Sequence, residues 1–360
     1  MTLRPFPVTA FALIAALAFR AGAANDAAPY LVLDLSEGSR DDACYPVRFL
    51  DAPPAGGWGE EYRTRLVALR RIEPGSVRMG CGPWELGYAG NERPAAEVRI
   101  SRPYYIGVFE LTQAQWRRVA GSPCGLYAGD DHPVESVSWE RIRGRRAGAS
   151  WPASARVDEG SFLGCLRDRT CIGSWDLPTE AQWEFACRAG ATNAIAPGLD
   201  LVSTGRDPGL DRFARYSAGV SGGPNGVRRH EAVGSFEPNA WGLYDMHGNV
   251  AEWCRDWYAG RSRFPAGDEP EVDPAGPASG RERAVRGGSW FDLARLCRSA
   301  SRARLAPAES NPRTGFRLVC APPTEEELAA AAEMAADLAA RREAEAAERS
   351  KERAAAGGRK

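Results

Sequence analysis

The chain has 360 residues, of which 44% are hydrophobic and 26% are charged, with a formal net charge of -1. This is the composition of a globular protein, and the length allows one large domain or two small ones. Arginines are interspersed with acidic residues and form no basic stripe with interleaved aromatics, which argues against a nucleic-acid-binding protein.

The first 23 residues have the organisation of a secretory signal peptide. Arg4 provides a short positive region, residues 8–19 are almost entirely apolar, and Ala21-Gly22-Ala23 has the small residues of a cleavage site. A membrane anchor is the weaker interpretation, because the apolar run is too short to span a bilayer comfortably. We therefore expect export to the periplasm or the cell exterior, and no membrane span after cleavage.

Residues 24–70 contain two short β-like runs, "YLVLDL" and "YPVRFL", which are separated by charged turn residues. We predict that this region is an N-terminal β-rich extension. The main body of the protein follows as residues 71–321 and carries most of the glycine and tryptophan.

The body is predicted to have short helices and long loops. Residues 111–121 and 177–190 have helical spacing, and the second segment also has a capping Thr179 and a terminal Gly190. Two long stretches without periodicity are rich in Gly, Pro and Asp and are predicted to be loops, at 191–235 and 255–284. Because a domain rarely carries so much loop, we expect ions or disulfides to stabilise it.

One loop candidate concentrates oxygen donors. The segment "GLYDMHGNVAEW" places the carboxylates of Asp245 and Glu252 on either side of the backbone carbonyls of Gly248 and Val250. Calcium is bound by six to eight oxygens of these types. From the residues alone, the alternative is an ordinary helix N-terminus with a capping side chain.

The remaining catalytic candidates are weak on sequence alone. His132, His230 and His247 have no partners in register for a triad or an iron site, so a solvated or capping role is expected for each. Ser289 follows two glycines in "RGGSW" but lacks the GxSxG pattern of a serine hydrolase.

The chain has nine cysteines, at positions 44, 81, 124, 165, 171, 187, 254, 297 and 320. In an oxidising compartment most of them should be paired, and an odd number leaves at least one over. No CxxC zinc pattern is present, so zinc is not expected.

Residues 322–360 form an Ala-, Glu- and Arg-rich tail with high helix propensity. Thr324 and Glu327 make a capping box at its start. Its apolar residues are too sparse for a coiled-coil seam. We predict a solvated single helix, with a docked or partner-binding helix as the alternative.

Seven segments of the body occur in an order that resembles the formylglycine-generating enzyme family, also called the sulfatase-modifying factor family. The segments are "IEPGSVRMG" (72–80), "YYIGVFELTQAQW" (104–116), "HPVESVSWE" (132–140), "DLPTEAQWEFACRAG" (176–190), "NAWGLYDMHGNVAEWCRDWY" (239–258), "RGGSW" (286–290) and "CRSASRARLAPAESNPRTGFRLV" (297–319). The resemblance covers about residues 71–321. It implies a single α+β domain, C-type-lectin-like in broad class, with little regular secondary structure and bound calcium.

The resemblance strengthens the calcium interpretation. The ligand positions it implies are Asp245, Gly248, Val250 and Glu252, in a structural site. A second family site would lie near residues 213–219, but Arg215 stands there where an Asn ligand is expected. That second site is therefore in doubt.

The resemblance also implies two disulfides. One would join Cys187 to Cys297. The other would join either Cys165 or Cys171 to Cys320, with a local Cys165–Cys171 bond as the competitor.

The oxygen-dependent members of the family convert a cysteine of a sulfatase peptide to formylglycine, using two thiolates that hold copper(I). Asp292 stands here at the first thiolate position, and a carboxylate is a poor ligand for that soft ion. Cys297 has the offset of the second thiol, and a pocket Trp of the family is Ala251. Cys297 cannot be both a copper ligand and a disulfide partner, and the disulfide is favoured.

We therefore expect an exported, non-oxidase family member that binds a protein segment or a cell-envelope ligand, with structural calcium and without copper. The alternative is a formylglycine-generating oxidase that acts through Cys297 and Ser289 on a sulfatase cysteine.

Overall fold

The computed structural model describes residues 28–40, 42–217, 229–260 and 269–357. The predicted signal peptide lies outside these ranges. Within them, no helix combines the length and the hydrophobicity needed to cross a bilayer.

The regular elements are short, apart from the last helix. The strands are β1 (Tyr30–Asp34), β2 (Val47–Leu50), β3 (Leu66–Ile72), β4 (Gly75–Met79), β5 (Ala96–Ile100), β6 (Tyr104–Gly107), β7 (Ala251–Trp257), β8 (Glu271–Val272), β9 (Arg283–Arg286), β10 (Arg302–Leu305), β11 (Thr314–Gly315) and β12 (Val319–Cys320). The helices are α1 (Glu61–Thr64), α2 (Gln113–Ala120), α3 (Trp139–Arg143), α4 (Arg146–Ala149), α5 (Phe162–Thr170), α6 (Glu180–Arg188) and α7 (Glu325–Gly357). The predicted α+β class with little regular secondary structure is confirmed.

Three sheets organise the body. A five-stranded sheet has the order β12-β6-β3-β1-β2, a four-stranded sheet has the order β10-β9-β7-β11, and a three-stranded sheet has the order β4-β5-β8. Both predicted N-terminal strands belong to the first sheet, in which β1 pairs with β3 from Tyr30–Arg70 to Asp34–Leu66. The predicted boundary between the N-terminal extension and the body, at residues 70 and 71, falls inside β3.

Both helices that were singled out from the sequence begin at capping boxes. The Thr112 side chain caps α2, which ends at Gly121 in a left-handed conformation. Thr179 caps α6 in the same way. The α6 helix ends one residue earlier than expected, because Ala189 and not Gly190 takes the left-handed C-cap position.

Aromatic packing holds α2 against α5 in the largest core cluster. The Trp116 and Phe162 rings stack with centroids 4.9 Å apart, and Phe316 meets Trp116 edge-on at 6.2 Å. Since Phe316 lies between β11 and β12, this contact ties the end of the body to the helical layer.

Buried arginines bind backbone carbonyls and carboxylates of irregular segments in the body. The fully buried arginines include Arg143, Arg283, Arg286, Arg298 and Arg317. Arg286, for example, donates to the carbonyls of Ala300, 3.1 Å away, and Ser299, 2.8 Å away, and it also contacts Glu184. A guanidinium has five donors in a fixed fork, so a single arginine can pair with a carboxylate and several loop carbonyls together.

The tail is a 33-residue helix whose first half is docked. Its capping box forms as predicted, with the Glu327 amide donating to Thr324 Oγ1 at 3.1 Å. Met334 Sδ lies 3.8 Å from Cys171 Sγ, and Arg342 pairs with Glu37 at 2.6 Å. The docked alternative, and not a wholly solvated helix, is therefore what the structure shows up to Arg342.

We expect Arg342→Ala to lower the free energy of unfolding only slightly. The Arg342–Glu37 pair is about one-third exposed on both sides. Water screens such a pair, which leaves a contribution below about 1 kcal/mol. Urea unfolding would measure it, with Arg349→Ala as the control, because Arg349 pairs with Glu345 within the exposed surface of the same helix. A loss well above that of the control would mean that docking and folding of the body are cooperative.

Candidate functional site

The 242–253 segment is a tight turn that leads into β7, so the helix alternative is wrong. Asp245, Gly248 and Asn249 have positive φ values of 57°, 95° and 61°. At Gly248 a Cβ atom would lie 2.3 Å from the carbonyl oxygen of Arg215. Only glycine therefore fits this point of the turn.

Asp245 is the predicted ligand that keeps an unpaired oxygen. Its Oδ2 accepts a hydrogen bond from the Gly234 amide at 2.7 Å. Its Oδ1 is buried and has no hydrogen-bond partner in the parts of the chain that the structure covers. Burial raises the pKa of Asp245 to about 6. An orphaned buried carboxylate oxygen in a tight turn is chemically suited to a hard cation.

Glu252, the other predicted charged ligand, is already engaged by protein donors. Arg317 binds its carboxylate in a bidentate manner, with Nη2 2.6 Å from Oε1 and Nε 2.7 Å from Oε2. Trp183 Nε1 donates to Oε2 at 2.8 Å. All three side chains are buried. Glu252 thus acts first as the partner of Arg317, a role that sequence reasoning missed.

Glu110 is a third carboxylate at this loop, and sequence reasoning missed it as well. It accepts hydrogen bonds from Asn249 Nδ2 at 2.6 Å and from the Val250 amide at 2.9 Å. Burial, followed by the charges of Asp245 and Glu252, raises its pKa well above the ordinary value. The two arginines whose charges act on Asp245, Arg317 and Arg63, do not balance three carboxylates.

Asn249 braces the turn instead of offering a free oxygen. Its amide donates to the Arg215 carbonyl at 2.7 Å, and its own carbonyl accepts from the Trp290 amide at 2.8 Å. Its Oδ1 accepts from the Glu231 amide at 2.9 Å. The loop is therefore tied directly to the "RGGSW" segment and to the segment that carries His230.

The doubtful second calcium site is filled by a side chain. Arg215 is buried, donates from Nε to the Arg229 carbonyl at 3.0 Å, and lies 3.8 Å from Glu231. A guanidinium at this position disfavours a cation. Residues 218 and 219 of the predicted site lie outside the described ranges.

Ser289, Asp292 and Cys297 lie close together, an arrangement that belongs to the alternative interpretation and not to the favoured disulfide, and we call them the Ser289 cluster. Ser289 Oγ donates to Asp292 Oδ2 at 2.6 Å. Cys297 is fully buried, and burial followed by the charge of Asp292 raises the pKa of its thiol well above the ordinary value. Ala251 is also buried. The Ser289 cluster thus holds one protonated, inaccessible thiol where two thiolates would be needed for copper(I).

The predicted Cys187–Cys297 bond is not formed. Cys187 Sγ faces Ser299 Oγ at 3.6 Å, whereas Cys297 points toward Gly288 and Ser289. Ser299 thus occupies the place opposite Cys187 that was assigned to Cys297. All nine cysteines are free thiols.

The second predicted bond is not formed either, in any of its versions. Cys165 Sγ contacts the Glu159 carbonyl, Cys171 contacts the tail helix, and Cys320 is buried in β12.

The histidines are not simply solvated or capping. His247 is buried, with Nδ1 2.8 Å from the Cys297 carbonyl and Nε2 accepting from the Ala196 amide at 3.1 Å. Burial lowers the pKa of His247 to about 4, so it is a neutral core residue. His132 and His230 are 98 residues apart in sequence, yet their Nδ1 atoms lie 2.9 Å from each other.

An aromatic surface borders the Ser289 cluster. The Trp290 ring meets Tyr127 at 5.7 Å and Phe291 at 5.6 Å, and Arg313 lies 4.9 Å from the Phe291 centroid. Phe291 is 52% exposed and Tyr127 is partly exposed, whereas Trp290 is buried behind the solvent-facing rings at 7% exposure. We call Tyr127, Trp290, Phe291 and Arg313 the aromatic surface.

A further cluster of possible metal ligands consists of Cys81, Glu85 and Glu92. Arg298 already pairs with both carboxylates, at 2.5 Å from Glu85 and 2.7 Å from Glu92. Because this guanidinium compensates their charge, the cluster is a buried ion network and not a metal centre.

Comparison with known proteins places these features in a family. The Sulfatase-modifying factor enzyme 1-like domain matches residues 60–322. The formylglycine-generating enzyme of Streptomyces coelicolor is 32% identical over 225 residues, which are 60% of each chain. The serine/threonine-protein kinase pkn1 of Chlamydia pneumoniae is 38% identical over 230 residues, which are 63% of this chain but only 34% of that protein.

A solved structure shares the fold. Treponema denticola variable protein 1 superimposes with a TM-score of 0.56 at 25% identity, over 71% of this chain and 96% of its own. The chain therefore spans most of that protein, but 60% or less of the length of the two sequence relatives.

Proposed function

Since the chain belongs to the sulfatase-modifying factor enzyme 1-like family, we propose that it is an exported member that binds a ligand on this scaffold and does not oxidise cysteine. The observation that carries the proposal is the Ser289–Asp292 hydrogen bond of 2.6 Å beside the single buried thiol of Cys297. A hard carboxylate at the position of a soft donor removes two-thiolate copper ligation. The burial of Cys297 also denies a peptide access to its sulfur.

We place the ligand at the aromatic surface. Aromatic side chains provide large contact area at low conformational-entropy cost, and Phe291 and Tyr127 offer such area to a ligand. A protein segment, such as one from a sulfatase, or a cell-envelope polymer would suit a surface of this kind. The match to part of a chlamydial protein named as a kinase is consistent with use of the domain in other settings.

We propose that structural calcium is held by Asp245 and the carbonyls of Gly248 and Val250. Glu252 would contribute a carboxylate oxygen to the ion while it remains paired with Arg317. The orphaned Asp245 Oδ1 and the excess of buried carboxylates support this assignment. When bound, the ion would neutralise these charges and stabilise the turn. Because Asn249 joins the turn to Trp290, the same ion would fix one edge of the aromatic surface.

Copper(I) titration tests the non-oxidase proposal. We expect the reduced wild-type protein to lose copper(I) to a chromophoric chelator. Asp292→Cys should restore a second thiol beside Cys297 and gain stoichiometric copper(I). Asp292→Ser is the matched control and should bind none. Tight wild-type binding that Cys297→Ser abolishes would refute the proposal.

One observation favours the alternative, an oxidase that acts through Cys297 and Ser289. The thiol of Cys297 is free and lies beside Ser289, instead of being consumed in a disulfide. Incubation with a peptide that contains Cys-x-Pro-x-Arg, oxygen and copper would decide between the two. Formation of the aldehyde product, detected by mass spectrometry, would establish the oxidase.

A further inference from the structure

His132 and His230 form a buried contact that the proposed ligand-binding role does not use. Their Nδ1 atoms are 2.9 Å apart, which is the distance of a hydrogen bond. One ring must therefore carry a proton on Nδ1, and the other must accept it there. His230 and Glu135 are fully buried, whereas His132 is only half-buried.

Glu135 fixes the direction of this contact. Its carboxylate lies 3.6 Å from His230 Nε2, and its Oε1 accepts from the amides of Leu126, at 2.5 Å, and Tyr127, at 3.0 Å. Glu135 Oε2 and His230 Nε2 have no hydrogen-bond partner within the covered ranges. A proton on His230 Nε2 faces the carboxylate, which leaves His230 Nδ1 to accept. His132 then donates from Nδ1 and keeps the lone pair on Nε2.

The charges of the neighbourhood support this arrangement. Burial alone would raise the pKa of Glu135, but contacts from His230, Ser136 and two amides bring it below the ordinary value. Burial and His230 lower the pKa of His132. The other charged groups that act on His132 are Asp131, Arg229 and Glu231. At neutral pH Glu135 is therefore a carboxylate and His132 is a neutral imidazole.

The line formed by Glu135, His230 and His132 adjoins the aromatic surface. The Tyr127 ring lies 5.6 Å from the His230 ring and 5.7 Å from the Trp290 ring, so it stands between them. The Glu231 amide, next to His230, is bonded to Asn249, which also holds Trp290. The aromatic surface thus contacts His230 through Tyr127, and His230 in turn contacts His132.

We propose that Glu135, His230 and His132 form a proton relay that makes His132 a general base toward a hydroxyl group of a ligand at the aromatic surface. The hydroxyl proton moves to His132 Nε2, and its electron pair stays on the oxygen. The Nδ1 proton of His132 moves to His230 Nδ1. The Nε2 proton of His230 is then shared with Glu135. In this line His132 would contact the ligand, while Glu135 and His230 are positioning residues. The 3.6 Å separation is a resting distance, since such contacts often tighten only when ligand binds.

The test uses diethyl pyrocarbonate, which acylates neutral imidazole. His132 Nε2 would form a bond to a carbonyl carbon, and ethyl carbonate would leave, decomposing to carbon dioxide and ethanol. The relay would take up the Nδ1 proton. Site assignment by mass spectrometry is simple, because the chain has three histidines and its only lysines are Lys351 and Lys360 in the tail.

The rate of His132 modification is followed from pH 5.5 to 8, and in the wild type we expect it to reach a limiting value at high pH. In Glu135→Gln and in His230→Asn this limiting rate should be at least tenfold lower. The apparent pKa of His132 should also fall in Glu135→Gln, because the anion is lost. Glu135→Gln keeps an oxygen for the Leu126 and Tyr127 amides, so the loop should persist. Asp131→Asn is the control: it removes a charge near His132 but lies outside the line, so its limiting rate should match the wild type.

Limiting rates in Glu135→Gln within twofold of the wild type, or no reaction of His132 in the folded protein, would overturn the relay. Nitrogen-15 NMR of the wild-type imidazoles gives a second readout that needs no variant. The relay requires a proton on Nε2 and none on Nδ1 of His230. The opposite tautomer would also overturn it.

Discussion

Arg317→Met is expected to lower the free energy of unfolding by about 4 kcal/mol or more, because it leaves buried carboxylates without their partner. Arg317 makes its bidentate contact with Glu252 and also donates to the carbonyls of Gly107, at 2.9 Å, and Tyr244, at 3.0 Å. Burial alone would lower the pKa of Arg317, but Glu252, followed by Glu110 and Asp245, raises it above its ordinary value. The variant therefore removes the main counter-charge of the whole loop.

Chemical denaturation would measure this loss, and a second substitution would identify its cause. If the loss comes from an uncompensated charge, Arg317→Met combined with Glu252→Gln should be more stable than Arg317→Met alone. The Gln carbonyl can still accept from Trp183, so that contact is kept. Arg349→Met is a matched control on the exposed tail, where the pair with Glu345 should contribute little. A double variant no more stable than the single one would mean that packing, and not charge, accounts for the loss.

The local features of the fold could be predicted from the sequence. Thr112 and Thr179 stand three residues before a Gln, and both form the capping boxes that this spacing favours. Hydrogen bonds that close within one turn depend only on neighbouring residues. The family motifs supplied the fold class, since their order along the chain identifies one architecture.

The contacts that shape the site could not be predicted, because they join distant segments. Glu110 reaches Asn249 across 139 residues, and His132 reaches His230 across 98. No periodicity in a single sequence reports such pairs. The Cys187 assignment failed for a related reason: a small offset places Ser299, and not Cys297, opposite the thiol. Local spacing could not distinguish these two neighbours.

Asn249 connects the proposed calcium site to the aromatic surface. It holds Glu110 through its side-chain amide and Trp290 through its carbonyl. Its φ of 61° is unfavourable for most residues, and these bonds hold it there. A change in the conformation of the 242–253 turn should therefore alter the aromatic surface directly through Asn249, with no helix in between.

Removal of calcium is expected to lower the melting temperature of the wild type on the order of 5 °C. A ligand present at 100 times its Kd stabilises the folded state by about 2.7 kcal/mol, and a chain of this size gains roughly 2 °C per kcal/mol. Differential scanning calorimetry in calcium and in EDTA would measure the shift. The calcium-dependent shift in melting temperature should depend on Asp245, because its Oδ1 is the unpaired buried oxygen of the loop.

Asp245→Asn should have opposite effects on the melting temperature in EDTA and in calcium. Without calcium, it removes a buried charge from among Glu110 and Glu252, so the variant should melt at the wild-type temperature or higher. With calcium, it removes the anionic ligand, so the shift should be lost. Asp130→Asn is the control, since the exposed Asp130 carboxylate pairs with Arg117 at 2.8 Å and with no other side chain in the described ranges. A wild type indifferent to EDTA, or an Asp245→Asn variant that keeps the full shift, would remove calcium from the loop. The excess buried charge would then have to be balanced by protons on Asp245 and Glu110, whose raised pKa values favour them.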